Sequence, residues 1–297
     1  MSIYSSEELT MKLSDINIRD PFILNYGGKY YMYGTRSTEW VKDVHVTERG
    51  FDVYVSDDLV DWSEPLSVFD YYEGFYGVCR YWAPEVHYYN GKFYMFATFQ
   101  PENSPKGTAI LVSDTPDGRF VLNSNGNLTP SDWEALDGTL YVEDGRPYMV
   151  FCHEWLQIGA GTVCAVELTP DLKETVGEPR ELWSAIDAVW KHDLRGNGSY
   201  VTDGPYLLRR GDELISIWSS FCTGKKYCEA IARSDNGSIF GKWTIDEKLV
   251  LEDDGGHGMI FKDNDGNDLF VYHSPNTIFL ERPCIKKINL DDWFDNK

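Results

Sequence analysis

An all-β fold, a five-bladed β-propeller with four-stranded antiparallel blades, is what this 297-residue sequence predicts. Three observations predict it. One segment plan recurs five times, a turn glycine falls at the same place in each copy, and most copies are followed by a second hairpin. Repeats fix architecture before motifs do, because each unit must bury its apolar faces against a neighbour.

The shared plan is an acidic or polar opening, an apolar strand, a glycine-containing turn and an aromatic strand. The first copy is "RDPFILNYGGKYYMYGT" from Arg19, followed by "FDVYVSDDLVDWSEP" from Phe51. The second is "WAPEVHYYNGKFYMFAT" from Trp82 with "TAILVSDTPDGRFVL" from Thr108. The third pairs "LDGTLYVEDGRPYMVFC" from Leu136 with "TVCAVELTPDLKETVGEP" from Thr162. The fourth pairs "TDGPYLLRRGDELISIWSS" from Thr202 with "CEAIARSDNGSIFGKWTI" from Cys228. The fifth, "GGHGMIFKDNDGNDLFVYH" from Gly255, precedes "IFLERPCIKKINLDDW" and leaves room for an N-terminal strand to complete the ring. Gly28, Gly91, Gly145, Gly211 and Gly266 mark the turns, 63, 54, 66 and 55 residues apart. Gly-Gly, Asn-Gly and Asp-Gly turns permit the positive φ of tight hairpins. Two hairpins make the four strands of a blade. The remaining length is expected in loops 36–50, 66–81 and 184–200 of a single domain spanning 1–297.

A β-sandwich would also hold several hairpins. It would not explain why each first hairpin opens on a residue of chemical interest, whereas a propeller brings those openings to one face around its axis. On this reading Asp20, Glu85, Asp137, Asp203 and His257 hold equivalent places. Residues just past the second strands, namely Arg36, Gln100, Glu154, Ser219 and His273, are expected on the rim.

Composition narrows the partners. A formal charge of −21 repels phosphates, which argues against nucleic acid and anionic membrane surfaces. No run approaches the roughly 20 apolar residues of a membrane span. The opening segment has no basic start before an apolar stretch, so a cytoplasmic location is expected. The six cysteines have no metal-knuckle spacing and sit mostly in apolar runs, where cysteine behaves as a small hydrophobe. The turn "KDNDGND" lacks the full spacing of a calcium loop and reads as a solvated turn.

Acids converging on one axis repel one another unless something uses or neutralises them. Glycosidic cleavage uses such a cluster: one carboxylic acid protonates the leaving oxygen, and one carboxylate activates water or attacks the sugar. Aromatic rings supply flat apolar surfaces for sugar C–H faces. Carboxylates in the same arrangement also suit calcium.

"RDPFI", "WAPE", "LDGTLYVEDGRPYMVF" and "DGPYLL" together resemble the signatures of glycoside hydrolase family 43, in that family's order and near its spacing. The resemblance runs from about residue 15 to the C-terminus. It implies that Asp20 is the general base of an inverting hydrolase and that Asp137 tunes the pKa of the acid. The family's acid is a glutamate in an "EGP" motif, where this chain has Asp203, one methylene shorter. Glu154, polar within the "CHEW" segment, is the reserve acid. His257 in "GGHGM" matches a histidine that helps hold a central ion through water, so a structural calcium at the axis is an expectation, with no cofactor required. Trp82, Glu85, Arg36 and Arg282 are expected to contact the sugar, and Arg282 also to neutralise the acids. The expected activity is exo-acting removal of arabinofuranose or xylose from oligosaccharides. A galactose- or galactofuranose-acting relative and a catalytically impaired sugar-binding propeller are the alternatives.

Overall fold

Strands buried on both faces read as near-continuous apolar runs, and this chain folds them into a ring of sheets that cover one another. The computed structural model describes residues 10–37 and 49–295. Blade 1 pairs β1 (Ile18–Tyr26), β2 (Lys29–Arg36), β3 (Gly50–Ser56) and β4 (Leu66–Asp70) in sequence order. Blade 2 repeats the order with β5 (Gly77–Tyr89), β6 (Lys92–Pro101), β7 (Gly107–Ser113) and the short β8 (Val121–Leu122). Blade 3 holds β9 (Ala135–Glu143), β10 (Arg146–His153), β11 (Thr162–Leu168) and β12 (Thr175–Ser184), with α1 (Trp155–Ile158) between β10 and β11. Blade 4 holds β13 (Asp203–Arg210), β14 (Glu213–Cys222), β15 (Lys226–Ser234) and β16 (Trp243–Leu251). Blade 5 has three strands, β17 (Gly256–Lys262), β18 (Asp268–Ser274) and β19 (Arg282–Lys287), and α2 (Leu290–Asp295) follows it. All pairings are antiparallel. The five marked glycines have φ between 59° and 83°, as their hairpin turns require.

The first strand of every blade lies innermost, and neighbouring first strands contact one another around the axis. Alternation along a strand serves two neighbours at once. In β14, Ile215 and Ile217 pack towards blade 5 with Ile260 and Phe270, while Leu214 and Trp218 pack towards blade 3 with Trp183. Every blade-to-blade face is filled in this way. Cys152, Cys164, Cys222 and Cys228 are buried free thiols among these side chains.

One expectation falls partly outside the described residues and another is corrected. Residues 10–17 add no strand to blade 5, and residues 1–9 lie outside the described part. Among the described residues blades 5 and 1 are joined by apolar packing of Met259, Phe261 and Val271 on blade 1 and by polar contacts: Asn17 donates to the Glu281 carbonyl at 2.7 Å, Arg282 donates to the Ser14 carbonyl at 2.7 Å, and Arg19 pairs with Glu281 at 2.9 Å. Most of 66–81 is strand rather than loop, because β4 and the long β5 extend into it. Loop 36–50 lies largely outside the described residues.

Candidate active site

A bulge at the start of each inner strand builds the site. Pairing with the second strand runs to Arg19, Trp82, Leu136, Asp203 and Gly256, skips two residues, and resumes at Phe22, Glu85, Thr139, Tyr206 and Met259. The first skipped residue is left-handed in all five blades: Asp20 (φ 53°), Ala83 (43°), Asp137 (56°), Gly204 (50°) and His257 (51°). A bulge re-aims the side chain it carries. The backbone strain, of order 1–3 kcal/mol at each non-glycine position, persists because the surrounding sheet over-determines it.

This register corrects the equivalence expected from the repeats. Asp203 stands one residue before the bulge and Glu85 two residues past it. Glu85 therefore rejoins the strand alternation, contacts His87 Nε2 at 3.2 Å, and does not line the cavity.

A second ring of side chains holds the bulges. Thr35, Thr98, Cys152, Ser219 and His273 sit opposite the residue that precedes each bulge. In four cases this side chain accepts the bulge amide of the next blade. Thr35 Oγ1 accepts from Ala83 (2.7 Å), Thr98 Oγ1 from Asp137 (3.0 Å), Ser219 Oγ from His257 (2.6 Å) and His273 Nδ1 from Asp20 (3.2 Å). The fifth position is Cys152, and sulfur accepts weakly. There the Gly204 amide donates to Asp137 Oδ2 at 3.1 Å instead. Ser219 and His273 are thus fully buried between blades, not on the rim as expected.

The bulges open into a cavity of about 640 Å³. Asp20, Asp137, Asp203, Glu154, Trp82 and His257 all line it. Asp20 accepts from Thr35 Oγ1 at 2.6 Å, lies 3.2 Å from His257 Nδ1 and 3.9 Å from Arg19 Nε. Burial raises its pKa, but His257, Arg19, His273 and Thr35 outweigh burial and hold the carboxyl below the ordinary range. Burial pushes His273 itself down to about 3, in keeping with its Nδ1 accepting the Asp20 amide and its Nε2 facing Asn276 Oδ1 at 3.2 Å. His273 is therefore a neutral acceptor at neutral pH, while Arg19 carries a permanent charge beside Asp20.

Asp137 and Asp203 behave oppositely. Burial, then the charges of Asp203 and Asp20, push Asp137 well above the carboxylate range, against the pull of the Gly204 amide. Burial, then the nearby charge of Glu154, push Asp203 up to about 7, against the hydrogen bond that Tyr227 donates at 3.0 Å. Like charges in a low-dielectric pocket do not ionise together. Glu154 is ion-paired with the buried Lys106, which also reaches Glu134 at 3.1 Å. Among neighbouring charges, that of Glu154 raises the Asp203 pKa most.

Two expected sugar contacts lie elsewhere. Arg36 forks onto Asp52 at 2.5 and 2.7 Å within blade 1. Arg282 is spent on the carbonyls of Ser14 and Glu281 in the closure between blades 5 and 1. The cation beside Asp20 is Arg19, adjacent to it in the sequence and overlooked there. Tyr227 was also missed, since it belongs to a second hairpin and carries no local motif.

Among the described residues no group of three or more His, Cys, Asp or Glu side chains is arranged to hold a metal ion. The donors present do not fit a directly bound calcium. His257 Nε2 is buried without a protein partner, which suits a contact through water only.

The family model described as glycosyl hydrolases family 43 matches residues 14–294. An extracellular endo-α-(1→5)-L-arabinanase of Bacillus subtilis (strain 168) is 27% identical over 270 residues, 84% of this chain and 73% of that protein. An extracellular exo-α-(1→5)-L-arabinofuranosidase of Streptomyces chartreusis is 25% identical over 65% of this chain and 62% of its own length. The crystal structure of an endo-arabinase from Bacteroides thetaiotaomicron VPI-5482 superposes with a TM-score of 0.87 and 37% identity, covering 95% of this chain and 98% of that one.

Proposed function

The chain belongs to glycosyl hydrolases family 43 and is a glycoside hydrolase; from that premise we propose that it cleaves α-L-arabinofuranosyl linkages of arabinan-type oligosaccharides, with inversion. The observation that carries the mechanism is the opposite displacement of two carboxyls in one cavity. Asp20 is held below its ordinary range and Asp203 is pushed up to about 7. Environments that drive two titratable groups apart assign the base and the acid.

In the proposed reaction Asp20 takes a proton from water as its oxygen bonds to the anomeric carbon. The glycosidic C–O bond breaks, and Asp203 gives its proton to the departing oxygen. Burial and the charges of Glu154 and Asp20 hold Asp203 protonated up to about pH 7, while Asp137, itself pushed above the ordinary carboxylate range, accepts the Gly204 amide beside it. The shorter side chain of Asp203 is steadied by Tyr227. Trp82 offers a flat face beside the acids.

Arabinanase and arabinofuranosidase relatives support the sugar. A cavity of about 640 Å³ is larger than one pentose unit. That size and the endo-acting relatives favour cleavage within a chain over the exo mode expected from the sequence alone.

The test is digestion of linear α-1,5-arabino-oligosaccharides with size analysis of products and NMR of the first anomer released. A parallel panel holds the 4-nitrophenyl α-L-arabinofuranoside, β-D-xyloside, β-D-galactoside and β-D-galactofuranoside. Internal cuts giving the inverted anomer are expected. Turnover confined to a xyloside or galactoside would overturn the arabinan reading, and a retained anomer would overturn the water-activating role of Asp20.

A further inference from the structure

Two arginines line the catalytic cavity without an acidic partner. Arg80 lies in β5 with its guanidinium carbon 4.8 Å from the centre of the Trp82 ring. Arg195, in the loop before β13, lies 4.6 Å from the centre of the Trp155 ring, at the start of α1. Neither makes an ion pair among the described residues, although acids outnumber bases by 48 to 27 in the chain. Other arginines show what this excess of acids ordinarily does. Arg36, Arg119, Arg209, Arg210 and Arg233 are each paired with at least one carboxylate.

Stacking engages the face of a guanidinium and leaves its N–H edge unused. That edge is the fork that fits a carboxylate with two parallel hydrogen bonds. Arg80 also holds a left-handed backbone at φ 61°, a strained conformation for a non-glycine residue. A neutral sugar can use a guanidinium only as a hydrogen-bond donor to its hydroxyls, whereas a carboxylate uses its charge and its fork together. The long-range field of a −21 chain repels anions, so a site that accepts one must carry its compensation locally.

We propose that Arg80 and Arg195 form carboxylate-accepting subsites in this cavity, and that the oligosaccharide taken by the enzyme carries uronate groups next to the sugar that is cleaved. This deepens, and rests on, the hydrolase reading of the same cavity. Leu156 and Ile278, exposed on the cavity wall, give the chain an apolar contact between the charged points.

The experiment separates the two readings. Binding is measured by titration calorimetry on the Asp20→Asn variant, whose turnover is expected to be about 10²–10⁴-fold lower. The probes are α-1,5-arabinotriose, the same trisaccharide oxidised to a terminal carboxylate, and trigalacturonate. At 50 mM salt at least one acidic probe is expected to bind ten-fold or more tightly than arabinotriose. The gap should shrink at 0.5 M salt, since exposed charges are screened. Arg80→Gln and Arg195→Gln should each cut the acidic-to-neutral ratio several-fold, a ratio that a uniform loss of binding leaves unchanged. Equal or weaker binding of both acidic probes overturns the inference, as does a ratio unmoved in both variants. Hydrolysis of arabino-oligosaccharides by the unmodified enzyme is scored separately. Cleavage with no acidic preference sinks the subsites and leaves the arabinan reading standing. Inert arabinosides alongside a clear acidic preference do the reverse.

Discussion

Replacing Tyr227 by Phe isolates one hydrogen bond at the proposed acid. The ring is seated by stacking on His273, with centroids 5.5 Å apart and planes 21° from parallel, so Phe keeps the packing. What disappears is the O–H donated to Asp203 Oδ2 at 3.0 Å inside a buried site. A hydrogen bond to a charged group contributes about 1.5–3 kcal/mol. Because it favours the carboxylate, it lowers the pKa of Asp203, and its loss raises that pKa above about 7. At about 1.36 kcal/mol per unit, the rise is roughly one to two units. A general acid works while protonated, so the alkaline limb of kcat/KM should move up by that amount. The acid limb, set by Asp20, should stay in place. The assay is a pH profile on an arabino-oligosaccharide, whose poor leaving group needs the proton. A folded variant with an unmoved alkaline limb would refute Asp203 as the acid.

Other expectations follow from the same geometry. Asp20→Asn should lower turnover by about 10²–10⁴-fold, the usual contribution of a positioned base, with the melting curve preserved; near-normal turnover would remove Asp20 from that role. Glu229 is fully buried, bonded to Ser219 at 2.5 Å, and pushed by burial up to about 8. From its ordinary 4.5 up to about 8 the unfolded chain loses this proton while the folded chain keeps it, so stability falls as pH rises across that window. Glu229→Gln should therefore gain in Tm relative to the parent between pH 5 and pH 8, and a constant difference across that range would show that the carboxyl does not titrate there. Gly204→Ala would set a Cβ 2.7 Å from the His257 ring at φ 50° and should cost about 1–3 kcal/mol, read as a fall in Tm with loss of turnover. Cys152→Ser places a good acceptor where the Gly204 bulge amide lacks one; it should draw that amide away from Asp137 and lower kcat with little change in Tm.

The architecture was legible because its determinants are local. Turn glycines fix hairpins, and a strand such as "ELISIW" shows by its unbroken apolarity that both faces are covered. Asp20 and Asp137 were legible for the same reason, as polar residues opening apolar strands. The bulge was not. Its left-handed position is filled by Asp, Ala, Asp, Gly and His, which share a backbone conformation and nothing in composition. Aligning by chemistry thus put Glu85 and Asp203 in the wrong register. The seats of Arg36 and Arg282 depended on partners far along the chain, Asp52 across a hairpin and Ser14 across the whole sequence. Tyr227 reaches Asp203 across β14 and β15, a distance no single hairpin encodes.

The junction between the first and last blades is a clasp made of side chains, and one of its members touches the chemistry. Arg19 grips Glu281 from one end of the chain and stands beside Asp20 at the other side of its guanidinium. These polar bonds lie beside the apolar face on which Phe261 and Val271 of blade 5 pack against blade 1, so the junction has both a polar and an apolar part. Losing Arg19 from it would also remove one of the groups that, with His257 and Thr35, hold Asp20 below its ordinary range.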